Sequence, residues 1–147
     1  MDQDRLDLLR EKEGFIPRIQ PVPKDDLIMR KIFPELSEYS DAALRGFFIS
    51  WDRLRLLEPL GVVEDDVNFD FAGFLRGKRW SLPKQLYLIY CLDSIDRVDT
   101  DHFCENFPYF WYPVCDDLFV CSGDFDWRLE ICHDGTILGL RSRAAYA

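Results

Sequence analysis

The stretch Phe125–Leu140, FDWRLEICHDGTILGL, restricts the fold more than any other. Phe125, Trp127, Leu129 and Ile131 alternate with Asp126, Arg128, Glu130 and Cys132. Successive side chains of a strand point to opposite faces, so this period of two describes a strand with one apolar face. Asp134-Gly135 then supplies a turn, and a second apolar run follows. Asp-Gly favours a two-residue type I′ loop, since both central positions need positive φ. Such a loop pairs Ile131 with Leu138 and Leu129 with Leu140. The expectation is a hairpin with Asp126, Arg128 and Glu130 on its wet face.

The other elements fall into two halves. Asp2–Glu13 reads as a first helix with Leu6, Leu9 and also Leu8 on its apolar side and Gly14 near its end. The prolines of IPRIQPVP force an extended connection. Asp25–Phe33 reads as a second short helix. The clearest helical pattern is SDAALRGFFISWDRLRLL, where Leu44, Phe47, Phe48, Trp51 and Leu54 recur every three or four residues. A further short helix is expected around Phe69–Leu75. LYLIYCL, from Leu86 to Leu92, is a continuous apolar run and reads as a central strand. SIDRVDTDHFCENF reads as helical or turn-rich, with Thr100 as a cap, and Leu118–Cys121 as another strand. The architecture expected is α+β: N-terminal helices packed on a C-terminal antiparallel β-sheet of meander or hairpin type. Its 147 residues suit one domain, 1–147. The helices would cover one sheet face and leave the other partly open.

Charge is unevenly spread. The formal net charge is −9. Residues 92–134 hold eleven acidic side chains against two basic ones, Arg97 and Arg128, so this stretch accounts for the whole imbalance. A field of that sign repels phosphate backbones and argues against direct nucleic-acid binding. It attracts a basic protein surface and speeds encounter with it. No apolar run reaches the length of a membrane span and no signal peptide is read, so a cytoplasmic protein is expected. The five cysteines show no CxxC spacing and read as reduced thiols.

Several chemical constellations can be weighed. DSIDRVDTD, with Asp93, Asp96, Asp99 and Asp101, lacks the spacing, central glycine and terminal glutamate of an EF-hand. Cys132 and His133 are adjacent on a strand and point to opposite faces, which hinders joint zinc binding. Cys104 with His133, or Cys132 with His102, remain open as nucleophile and base. Asp124, Asp126 and Glu130 would share one strand face, the arrangement a metal-dependent hydrolase requires. Nucleophile-elbow and P-loop signatures are absent. No cofactor is expected.

The stretch FWYPVCDDLFVCSGDFDWRLEICHDGTILGL carries a Trp-Tyr-Pro segment at 111–113, an Asp-Asp pair at 116 and 117, and an aromatic strand and hairpin at 125–140. In these features it resembles the C-terminal part of small bacterial toxin-immunity proteins of the SMI1/KNR4-like (SUKH) group. That resemblance implies no enzyme activity. It implies an acidic α+β protein that binds and neutralises a toxin, often a basic nuclease. The expected partner contacts are Asp93, Asp96, Asp99, Asp101, Tyr109, Trp111, Tyr112, Asp116, Asp117, Asp124, Asp126 and Glu130. Aromatics there would supply affinity and acids the steering. The alternative is a metal-dependent hydrolase with an acidic site on the C-terminal sheet.

Overall fold

Alternation and apolar runs build a seven-stranded antiparallel sheet in this computed structural model, which describes residues 1–22, 28, 31–32, 57–91 and 94–141. The strands are β1 (Ile19–Val22), β2 (Glu58–Val62), β3 (Gln85–Cys91), β4 (Ser94–Asp99), β5 (Leu118–Ser122), β6 (Trp127–Ile131) and β7 (Thr136–Arg141), in the order β1-β4-β3-β5-β6-β7-β2. The fold is α+β, as expected. Both outer strands contain a proline, Pro21 in β1 and Pro59 in β2, and the β2–β7 register shifts between Pro59 and Gly61. Proline cannot donate to a further strand, so both edges are blunted against extension.

The helices are short. Asp2 accepts the Arg5 N–H at 2.8 Å and so caps α1 (Gln3–Leu8), which runs on as a π-helical turn over Leu9–Glu13. Gly14, at φ 62°, ends it in the left-handed region that glycine enters without strain. Leu9 is buried, whereas Leu8 is 40% exposed. Asp70 caps α2 (Phe71–Gly77) through the Gly73 N–H at 2.8 Å. Then come α3 (Thr100–Glu105) and α4 (Phe107–Phe110).

One sheet face meets these helices. Leu86, Leu88, Val98, Leu118, Val120, Trp127, Leu129, Ile131 and Ile137 pack there with Phe71, Leu75, Phe103, Phe107 and Phe110. The rings interlock, with Phe71 and Phe103 edge-to-face at 5.0 Å. Each fully buried side chain of this size stabilises the fold by about 1.5–3 kcal/mol.

The structure differs from the sequence expectations in three places. First, Ile131 pairs with Ile137, Leu129 with Gly139 and Arg128 with Leu140. The predicted register is therefore off by one. Gly135 alone of the loop residues has positive φ, 89°, and its N–H bonds to the Cys132 carbonyl at 2.8 Å. This is a three-residue loop, a turn followed by a left-handed glycine, in place of type I′. The shift is tolerated because β7 is apolar on both faces, and Gly139 leaves room for Leu60 and Trp80 to cover it.

Second, residues 94–99 form strand β4, not a helix or turn. Thr100 is the first helical residue and not the cap, which is Asp99, and the Thr100 hydroxyl donates to the Pro83 carbonyl. Local composition was polar, but pairing with both β1 and β3 overrides it.

Third, the second sheet face is also covered. Ile89, Ile95, Phe119 and Cys121 pack with Ile32, and Val22, Ile28, Leu57, Tyr87 and Phe125 flank them. Arg128, expected on a wet face, is only 7% exposed and donates to the Ile32 carbonyl at 2.8 Å. Ile28, Lys31 and Ile32 of the expected second helix are helical. The long amphipathic pattern at 40–57 lies outside the described residues except for Leu57. Among the described residues no helix is long and apolar enough to cross a membrane.

Candidate binding surface

The elements that carry the acidic stretch distribute its carboxylates over separate parts of the surface. Asp99 ends β4 and Asp101 stands on α3, both exposed. Asp117 precedes β5 and Asp124 lies in the β5–β6 turn, again exposed. Asp93 lies outside the described residues.

Four expected contacts face inward or are tied into the structure. Asp96 is 3% exposed and pairs with the Met1 ammonium, itself buried. Trp111 is 1% exposed and donates from its indole to the Asp116 carbonyl at 3.1 Å. Asp116 accepts from the Arg5 guanidinium at 2.6 Å and from the Tyr112 N–H at 2.7 Å. Asp126 faces Arg141 Nε at 3.5 Å. These side chains build the fold's connections and contribute little free carboxylate to its surface.

Asp124 and Asp126 sit in the turn before β6, while Glu130 is on the strand itself. Asp126 and Glu130 are four residues apart, about 13 Å along a strand. The three do not form one face. Asp117, Glu130 and Cys132 instead place potential ligand atoms within 4.8 Å of one another. Asp117 also accepts from the His133 backbone N–H at 2.8 Å and lies 3.0 Å from its Nδ1. That contact raises the His133 pKa above its ordinary value.

The other histidine and the thiols are held quietly. His102 is buried on α3, where its Nε2 accepts the Arg18 backbone N–H at 3.0 Å. Burial, then the Arg18 charge, lowers its pKa, with Glu105 and Asp99 acting in the opposite sense. Burial pushes the Cys104 thiol up to about 11 and the Cys121 thiol up to about 12. A protonated thiol is a poor nucleophile, so this environment does not activate either cysteine.

Tyr109 and Tyr112 are the expected contacts that the fold does bring together. With Pro108, Glu13, Glu105 and Val67 they line a groove of about 450 Å³. Phe15 stacks on Tyr109 at 4.4 Å, and the Arg5 guanidinium lies 4.1 Å over the Tyr112 ring, so each ring is fixed by a neighbour. Val67 is 70% exposed on the groove wall. Both carboxylates are exposed, and among the described residues neither has a salt-bridge partner. Sequence reasoning missed Glu13, Glu105, Val67 and Pro108. Glu13 reads in sequence only as the polar end of the first helix, and nothing local ties it to Tyr109.

No protein-family model matches the chain, and neither the curated proteins nor the solved structures contain a match to it.

Proposed function

We propose that this is a non-enzymatic acidic binding protein that docks on a basic partner protein, in the manner of an immunity protein neutralising a toxin. One observation carries this reading: among the described residues no salt bridge joins Asp99, Asp101, Glu105 or Asp124 to a basic side chain. Asp99, Asp101, Glu105, Asp117 and Asp124 face solvent. The local field beside these exposed acids is negative. Such a field guides a basic surface during diffusional encounter. The resemblance to the SMI1/KNR4-like group points the same way.

The test is capture of the partner from the native host, followed by association kinetics at several ionic strengths. The expected result is a basic partner whose association slows steeply with salt. Charge reversal at Asp101 and Asp124 together should slow it further. Association indifferent to salt would overturn the reading.

A metal-dependent hydrolase is the competing reading, and the approach of Asp117, Glu130 and Cys132 is what favours it. A thiolate beside two carboxylates suits zinc better than magnesium. Under that reading, zinc should raise the melting temperature of the full chain and the Glu130→Gln variant should lose the effect. Under the docking reading, zinc leaves the melting temperature unchanged.

A further inference from the structure

We propose that the groove of Glu13, Val67, Glu105, Pro108, Tyr109 and Tyr112 receives an arginine side chain of the partner. This rests on the docking reading above and names the chemistry of its anchor point.

The lining defines the ligand by what it offers. Among the described residues of the lining, the charged members are both carboxylates and none is basic. An apolar ligand would leave the desolvated carboxylates uncompensated, and an anion would be repelled. A cation satisfies them. The remaining wall is two tyrosine rings, a proline and an exposed valine, which suits a flat, weakly hydrated cation better than a compact ammonium. Guanidinium combines a planar face for stacking with a fork of donors for carboxylates. A volume of about 450 Å³ accommodates one long side chain and part of its backbone.

The protein itself contains a small version of this arrangement. Arg5 lies over Tyr112 at 4.1 Å and over Tyr90 at 5.0 Å, with its head on Asp116 at 2.6 Å. A guanidinium between tyrosine rings and a carboxylate is thus a stable grouping beside this groove. Glu13, which ends the first helix, and Glu105, which ends α3, supply the carboxylates that the groove adds.

The rings are also restrained before any ligand arrives. The Phe15 stack holds Tyr109, and the Tyr112 N–H donates to Asp116 at 2.7 Å. Little ordering is then left to be done on binding, which favours affinity.

The experiment is a titration of the isotopically labelled full chain, followed by amide NMR shifts. The probes are Nα-acetyl-arginine methylamide, the lysine equivalent and the uncharged citrulline equivalent. The expected result is a saturable set of shifts centred on residues 13, 67, 105, 109 and 112. Citrulline should bind about fivefold more weakly than arginine, or worse, and so should arginine to the Glu13→Gln/Glu105→Gln variant. Both carboxylates are exposed, so an unchanged melting temperature is expected to show that this variant is folded. Lysine binding as well as arginine would overturn the assignment to guanidinium. Equal citrulline binding, an indifferent double variant, or shifts centred on Asp99, Asp101 and Asp124 would overturn the site itself. A captured basic partner whose dissociation ignores the double variant would also defeat the groove assignment while leaving the docking reading intact. Arginine seated in the groove of a protein with no salt-dependent partner would support the groove and defeat the docking reading.

Discussion

The guanidinium of Arg5 lies 2.6 Å from the carboxylate of Asp116, at the other end of the chain, and both side chains are nearly buried. Arg5 also donates to the Tyr109 carbonyl at 3.3 Å, and Asp116 accepts from the Tyr112 N–H at 2.7 Å. The pair fastens the first helix to the segment formed by α4 and the residues after it, which carries both groove tyrosines. Removing one partner strands the other charge in a desolvated place. Asp116→Asn should therefore destabilise the protein by about 3 kcal/mol, measured by urea unfolding. In a double-mutant cycle with Arg5→Met the two effects should be clearly non-additive. Additive effects would show that the pair is not coupled.

The β6–β7 register makes Gly139 a packing requirement. A Cβ built there would lie 2.3 Å from Leu60 Cδ1 and 2.8 Å from Trp80 Cη2. Gly139→Ala should cost about 1–3 kcal/mol through overpacking. In the register expected from sequence, Leu140 faces Leu129 and Gly139 lies on the other face. A neutral Gly139→Ala result would favour that alternative.

The two histidines should titrate on opposite sides of the ordinary value. His102 is lowered by burial and by Arg18, and its proton would displace the Arg18 N–H from Nε2. Its folded pKa lies below the unfolded one, so the unfolded chain binds the proton more readily. Stability from this group is fully present above about pH 6.5 and falls as pH drops through the folded pKa. His133 is raised by its hydrogen bond to Asp117 and by that residue's charge. Its contribution is present below about pH 6.5 and is lost as pH rises through the folded pKa. NMR of the two ring signals should show one midpoint below and one above the ordinary histidine value of about 6.5. Asp117→Asn should lower only the His133 midpoint.

Thiol reactivity should follow exposure. Cys115 is exposed, whereas Cys121 is buried and pushed up to about 12. Alkylation of the native protein at neutral pH should modify Cys115 well before Cys121, as peptide mapping by mass spectrometry would show. Rapid modification of Cys121 would mean that the second sheet layer opens readily.

Much of the fold was legible because it is local. Leu86 to Cys91 is continuously apolar and becomes the buried strand β3. The short helix expected around Phe69–Leu75 forms as Phe71–Gly77, with Asp70 as its cap. What was not legible depends on partners far along the chain. Ser94–Asp99 carries acids at 96 and 99 and reads as polar enough for a turn, yet β1 and β3 recruit it from both sides. Arg128 reads as solvent-facing until the Ile32 carbonyl is placed beside it.

By itself the sequence determined which segments could pair, how their apolar residues alternate, and where the negative charge lies, since these follow from residue order and the two-residue period of a strand. Only the tertiary structure decided the hairpin register, because Ile137 and Leu138 are both apolar and either could face the helices. It also decided which carboxylates are spent on the fold and which meet solvent. The groove exists only because folding carries the end of the first helix against Tyr109 and Tyr112, and no local rule relates residues so distant in the chain.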